Sequence, residues 1–507
     1  MKYYDKSLEA NPNDNITLNN IGANLMQQGR IKEAKKYFWD AVKIDPNYPN
    51  THYALALIAK MEGDLHSALY SVIEAIKKNP NKNTLYTNSV KDALAISLKL
   101  MDTVDGKAIL KGYADKLEEE SGKKIVFVAE PSIPTAAKLE IAENYDRDEH
   151  IVRYKPSYPA VEHLQMHELV HLDFVVQARK ANLNKLFTST QQDKQRFIRT
   201  LEPTIKRLNK MGISDEALAN YCSSLFDGLN RQIFNAPIDL FIEDLLYQEF
   251  PDLRAYQFQS YYGLVKEGLQ AVTDKKIVDL SPKDVLSKSK IYNLITAMHF
   301  KDLFGIDLVN DFKATAIELN QAKELYEEFL EYREDREPGE EYELVQHWAE
   351  DLHVDSYFEL VDEQEYRNKR TNLDNILESI EKDPYGVEEQ DPYKDKQMET
   401  FQKSQAEIGT NMAVVMFMVD AMQYFEGMPK QKVREVAFEI ATLGTQGIKP
   451  DGKYVLRTVP KKDFSGYHLL AYYYVSWAIA VPEMLKELHL PYDDEYAMAK
   501  TMYKLKR

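Results

Sequence analysis

The 507-residue chain has a single cysteine, Cys222, and that scarcity excludes two kinds of stabilisation at once. One thiol can form neither an intramolecular disulfide nor a zinc cluster built on several thiolates. This usage fits a reducing compartment, and a cytoplasmic location is favoured. No secretory signal is visible at the N-terminus. Long apolar runs are missing too. The nearest candidate, Leu469 to Pro482 (LLAYYYVSWAIAVP), falls short of the ~20 residues that span a bilayer, so it reads as a buried helix and no transmembrane segment is expected. Positive charge is in deficit: 64 Lys and Arg stand against 81 Asp and Glu, a formal net charge of −17. Nucleic-acid binders neutralise phosphates with cations, so that class is disfavoured.

What the chain does contain is apolar material for sizeable cores, with 44% hydrophobic and 11% aromatic residues. The length suits roughly two to four domains. The first hundred or so residues repeat with a period of 34: Pro12, Pro46 and Pro80 are spaced by it, as are Gly29 and Gly63, Ala34 and Ala68, and Ala41 and Ala75. In the unit from Asn15, the small and large residues Leu18, Ile21, Gly22, Leu25, Ala34, Phe38, Ala41 and Pro46 form a pattern that resembles the tetratricopeptide repeat (TPR), a helix–turn–helix unit. Small residues let the two helices approach, and proline closes the second. Before Asn15 only a second helix, Met1 to Ala10, precedes Asn11-Pro12, so further repeats are expected upstream. The resemblance implies an α-solenoid with a concave surface for a peptide or protein partner; a spacer or a cap on the following domain is the alternative.

Further along, Lys124 to Glu130 (KIVFVAE) and His150 to Lys155 (HIVRYK) read as strands, the second ended by Pro156. Ser157-Tyr158-Pro159 offers a helix start with Ser157 as N-cap. A helix is expected from there to about Lys180, with Val161, Leu164, Leu172, Val175 and Val176 as its apolar stripe. His167 and His171 stand on it at i and i+4, which puts both imidazoles on one face where two nitrogens can reach one ion. Glu168 follows the first histidine, so its carboxylate flanks that ion without having to bind it. The pentapeptide HELVH is similar to the HExxH signature of the zincin metallopeptidases.

That resemblance implies an α+β zincin-like core, Zn2+ as cofactor, and a peptide or protein substrate. It also implies Glu168 as general base towards a zinc-activated water. Zincins differ in their third ligand. The metzincin type needs Gly and His at offsets where this chain has Phe174 and Gln177, which excludes it. The glutamate type draws its ligand from a later helix, and Asn235 to Phe250 (NAPIDLFIEDLLYQEF) reads as one. Asp239 and Glu243 stand one turn apart there, and acids on so apolar a helix are costly unless paired or bound to a cation. Glu243 is therefore the expected third ligand, with Asp239 orienting a ligand histidine through its other ring nitrogen. Asp244 and Glu249 stay open as rivals. Ile151, Val152, Arg153 and Tyr154 are the expected edge strand for an extended substrate. Tyr467 and His468, in FSGYHLL, are candidate oxyanion donors on residue type alone. His163, one turn before His167, reads as a partly exposed neighbour, and Cys222 as packing.

The acidic excess is concentrated. Between Glu324 and Glu365 lie 17 acids against 2 arginines, and a solvated helix with loops is expected there. Met412 to Phe425 and Leu469 to Leu485 are expected as buried helices. The anticipated organisation is repeats over 1–96, a zincin-like core over 97–322, an acidic linker over 323–405, and a helical subdomain or lid over 406–507. The chain is thus predominantly α. The leading functional expectation is a zinc metallopeptidase whose repeats recruit a protein partner or substrate. The alternatives are a non-catalytic scaffold with a degenerate zincin domain, and a regulatory protease with one protein substrate.

Overall fold

In the computed structural model the 34-residue period becomes paired helices. The structure describes residues 2–370 apart from 134 and 146, then 412–444, 448, 452–460, 462–482, 485, 490 and 492–505. After α1 (Lys2–Ala10), α2 (Asn15–Gln27) pairs with α3 (Ile31–Ile44), and α4 (Pro49–Glu62) with α5 (Leu65–Lys77). Gly22 lies so close to Phe38 that a Cβ there would sit 2.8 Å from the ring, which is why the repeat needs a small residue at that point. Gly29 and Gly63, at φ 77° and 80°, make the matching turns after α2 and α4, a backbone region open to glycine at little cost. The first pair closes on a small core with one helix of the second, where Ile21, Leu25, Ala34 and Phe38 meet Leu55 and Ile58 of α4. In the other, α5, Leu69, Val72, Ile73 and Ile76 belong to a large core that continues to Phe358. α6 (Thr84–Met101) runs past the expected boundary at residue 96. Just before and within it, Lys82 Nζ donates to the Asp307 carbonyl (2.9 Å) and Tyr86 Oη accepts from the Asp307 amide (3.0 Å). The repeats are thus fastened to the central domain.

α7 (Gly106–Ser121) leads into a three-stranded sheet of β1 (Lys124–Ala129), β2 (Ala137–Glu140) and β3 (Glu149–Tyr154), in the order β1-β3-β2. β3 runs parallel to β1, pairing Val126 with Ile151, and antiparallel to β2, pairing Leu139 with Val152. The strand carrying Ile151, Val152, Arg153 and Tyr154 is therefore central, with both hydrogen-bonding sides occupied, and the expected edge is corrected. The edges are β1 and β2, and the four residues of β2, AKLE, are too few and too mixed to announce a strand.

α8 (Val161–Ala181) carries HELVH and packs on α7, β2 and β3. It starts later than expected, after Ala160 at φ 56°, and Ser157 is not its cap. Pro156 and Pro159 lack amide donors and disfavour helix in the residues before them, so PSYP makes turns instead. Leu164, Met166, Leu169, Val170, Leu172 and Phe174 are all buried, a wider apolar surface than one stripe.

β4 (Lys185–Thr188), α9 (Gln191–Thr200) and α10 (Glu202–Lys210) precede α11 (Asp215–Glu249), a 35-residue helix interrupted by Pro237. Then come α12 (Arg254–Thr273), α13 (Lys275–Leu280), α14 (Lys283–Phe304), α15 (Ala316–Tyr332), α16 (Glu341–Asp351), β5 (Glu359–Asp362) and α17 (Glu363–Arg370). Met1–Thr371 forms one compact unit, so residue 322 is not a boundary and the acidic stretch to residue 370 is not a linker. Its apolar residues Leu325, Phe329, Tyr342, Leu344, Val345 and Trp348 fill the core, while Glu324, Glu331, Glu334 and Glu343 face solvent. β5 pairs antiparallel with β4, Leu360 opposite Phe187. Residues 371–411, with the polar Tyr385-Gly386 stretch, lie outside the described residues.

The second unit, Asn372–Arg507, has helices Met412–Tyr424, Lys430–Gly444, Gly466–Ala480 and Asp493–Leu505, and a pairing of Lys453–Val455 with Asp463–Ser465. The helix expected to reach Leu485 ends at Ala480, ahead of Pro482. Among the described residues no helix is long and apolar enough to cross a membrane.

One buried ion cluster ties α8 to the end of the first unit. The Glu363 carboxylate accepts from Arg179 Nε and Nη2 (both 2.7 Å), Asn184 Nδ2 (2.8 Å) and Arg367 Nε (2.9 Å). Burial alone would raise its pKa, but the donors, Arg179 foremost, pull it down to about 2. An unfolded glutamate titrates near ~4.3. A carboxyl depressed in the folded state adds stability above its unfolded pKa and loses it as the pH falls through the folded one. Glu363→Gln is therefore expected to cost roughly 2–3 kcal/mol at pH 7, with the gap to wild type closing between about pH 4.5 and pH 2. Urea unfolding of both proteins across that range checks it; a gap independent of pH would contradict the assignment.

Candidate metal centre

Two helices build the site. On α8, His163, His167 and His171 recur every four residues; on α11, Asp239 and Glu243 do the same, and the two rows interleave. His163 Nε2 lies 3.1 Å from Glu243 Oε2, and His167 Nδ1 lies 3.0 Å from Glu243 Oε1. His167 Nε2 is then 3.2 Å, and His171 Nε2 3.1 Å, from one oxygen, Asp239 Oδ1. From α12, Gln257 Nε2 donates to Glu243 Oε2 (2.7 Å) and to the Glu243 carbonyl (2.8 Å). Pro237, two residues before Asp239, removes one amide from the α11 ladder at this point.

The arrangement has two layers. Glu243 and His163 are sealed, whereas the side chains of His167, His171 and Asp239 keep 14%, 16% and 38% of their surface open. His163 is therefore not the partly exposed neighbour the sequence suggested.

The geometry favours the opposite assignment of the two acids from the one the sequence suggested. His167, His171 and Asp239 bring one ligand atom each within 4.8 Å of one another, the grouping that can hold an ion. Glu243 instead meets the far nitrogen of His167 and would orient that ring. The sequence places both acids on one stripe, and only the register of α11 against α8 decides which one lies between the two Nε2 atoms. The rivals are disposed of as well. Asp244 is engaged by His299 Nε2 (3.0 Å) and Arg333 Nε (2.6 Å), and Glu249 is exposed.

The electrostatics call for a positive species. Burial would lower the His167 pKa, but Asp239 and Glu243, one at each ring nitrogen, carry it well above its usual value. Burial would raise Asp239 and Glu243, yet His167 with His171 holds the first, and His163 with His167 the second, below the ordinary carboxylate range. Two imidazole nitrogens and a carboxylate oxygen form a donor set that suits zinc. Tetrahedral ligands ~2.0–2.1 Å from zinc lie about 3.3 Å apart. The observed 3.2 and 3.1 Å separations come close to that edge.

Glu168 sits on the same helix beside this set. Burial raises its pKa, and the two imidazoles and the backbone amide of Leu139 in β2 oppose the shift. The edge strand and the glutamate of HELVH are thus brought together. Tyr467 and His468 belong to the other unit. There His468 Nε2 is 3.1 Å from Asp420 Oδ2, and its ring stacks on Phe417 at 4.4 Å. Cys222 is buried in the first unit's core.

Comparison with known proteins bears on the repeats. The chain is similar to the TPR repeat-containing protein YpiA of Bacillus subtilis, 28% identical over 109 residues, covering 22% of this chain and 25% of that protein. It is also similar to the peroxisomal targeting signal receptor of Kluyveromyces lactis, 27% identical over 113 residues, covering 22% of this chain and 19% of that one. These similarities support reading the helix pairs as tetratricopeptide repeats. The chain spans a quarter or less of the length of these relatives. No family model and no solved structure matches it. Neither relative's name bears on the HELVH centre, whose reading rests on geometry.

The exchange of roles generates a test. Asp239→Ala is expected to abolish zinc binding, as His167→Ala should, whereas Glu243→Gln should keep the ion with about 10–100-fold weaker affinity. Zinc content by elemental analysis, with chelator competition for affinity, decides it. Full zinc in Asp239→Ala together with none in Glu243→Gln would reinstate Glu243 as the ligand.

Proposed function

We propose that the chain is a protein-binding TPR protein whose central domain is a zinc-dependent peptidase acting on a partner the repeats recruit. The single observation behind the catalytic part is the placing of Glu168 next to His167, His171 and Asp239, on the helix against which β2 packs. A zinc ion in that set supplies Lewis acidity to a scissile carbonyl and brings the pKa of water towards neutrality. Glu168, desolvated and more basic than a free glutamate, is suited to take the water proton and hand it to the leaving amine. β2 offers unpaired backbone groups on its outer side, to which an extended peptide can add as a further strand.

The binding part is supported differently, by similarity to a TPR repeat-containing protein and to a targeting signal receptor. These favour a second reading, a scaffold without turnover, because they speak for partner binding and not for hydrolysis. A protease dedicated to one protein would also fit, and would be silent towards generic peptides.

Glu168→Gln separates the readings. Under the peptidase reading it keeps about one zinc per chain and loses at least about 100-fold in cleavage rate. The assay follows cleavage of proteins captured by the chain as well as of an unfolded test protein. Equal, metal-independent behaviour of wild type and variant towards every captured protein would leave the scaffold standing and remove the peptidase.

A further inference from the structure

The centre contains one more histidine than a ligand set of two imidazoles and a carboxylate uses. His163 is 1% exposed; its Nδ1 has no hydrogen-bond partner among the described residues, and its Nε2 faces Glu243 Oε2 at 3.1 Å. Since an ionised carboxylate only accepts, the His163 proton belongs on Nε2. Gln257 Nε2 donates to the same oxygen at 2.7 Å and to the Glu243 carbonyl at 2.8 Å. Two donors from two helices therefore hold Oε2, and Oε1 is aimed at His167 Nδ1, 3.0 Å away. His167 then presents Nδ1–H to it, so the nitrogen left to bind a metal, in exchange for the ring's other proton, is Nε2. That nitrogen is the one turned to Asp239 Oδ1 and His171. A histidine tautomer is set by the hydrogen bond at its other nitrogen.

We infer that His163 and Gln257 are positioning residues: by clamping Glu243 they fix the His167 tautomer and ring orientation that present Nε2 to the metal. This rests on the metal-centre reading above and adds to it a part that the HELVH pattern does not contain. A histidine that merely fills the core would affect stability and leave the ion's affinity and coordination alone.

The full-length protein carries the test. His163→Leu removes the donor and keeps bulk, while His163→Gln puts an amide N–H near the position of the imidazole Nε2. Gln257→Leu removes the second donor and serves if His163→Leu does not fold. Zinc affinity is read by chelator competition, and coordination by the visible absorption of the cobalt-substituted protein, with the unfolding midpoint of the metal-free form as control. His163→Leu and Gln257→Leu should each weaken zinc about 10–100-fold and alter the cobalt bands, and His163→Gln should recover affinity to within about threefold of wild type. Wild-type affinity and an unchanged cobalt spectrum in both Leu variants would overturn the inference, as would a Gln variant no better than Leu. A wild-type protein that takes up no zinc would overturn the metal-centre reading and this inference with it, whereas tight wild-type binding with indifferent variants sinks this one alone.

Discussion

The central domain depends on a lattice of five side chains, three imidazoles on one helix alternating with two carboxylates on another. Neither row is tolerable alone, because buried carboxylates and imidazolium groups cost several kcal/mol each without partners. Both rows repeat every four residues, about 6 Å along a helix, so two crossing helices can satisfy them in one step. Each contact is 3.0–3.2 Å. The rest of the first unit keeps this register: α7, β2 and β3 pack against α8, α14 and α16 pack against α11, and Gln257 of α12 reaches across to Glu243. A shift of one residue in either helix would turn an acid towards the apolar core.

The same constraint separates what is legible in the sequence from what is not. HELVH is legible because i and i+4 on a helix put two rings together whatever the surrounding fold. The repeats are legible because Gly22 and Phe38 answer to a local packing need recurring every 34 residues. β1 and β3 are legible from runs of β-branched residues. What stays hidden depends on long-range register. The sequence cannot say whether Asp239 or Glu243 lies between two nitrogens, since both share one stripe of α11. It also cannot show that His163 is sealed by a helix 80 residues later. β2 escapes because AKLE has no alternation, and its presence moves the substrate edge away from Ile151–Tyr154. The acidic stretch misleads for another reason: many of its charges face solvent while Glu341 and Glu363 are buried, and composition hides the inner stripe of Leu325, Phe329 and Trp348.

The fusion of repeats and central domain has a mechanical meaning. Leu69, Val72 and Ile76 of the second repeat share a core with α6 and the helices beyond it, while the first repeat closes on its own small cluster. A partner held on the second repeat would thus be held by the body that also carries α8. The first repeat's cluster takes in Leu55 and Ile58 of α4, so it is joined to that body through the second repeat.

The layering of the centre bears on what it is for. A purely structural ion cluster gains from exclusion of water, and the Glu363 cluster, a few turns away at the end of α8, is of that kind: two arginines and an asparagine saturate one carboxylate. The histidine cluster is built the opposite way. In its deep layer His163 and Gln257 both hold Glu243, and in its outer layer two imidazole nitrogens face one oxygen of Asp239. Uptake of a cation by that set would add to the stability of the fold, a response that a brace would not give. Asp239, the most exposed of the five, stands on the side from which an ion or a substrate could approach.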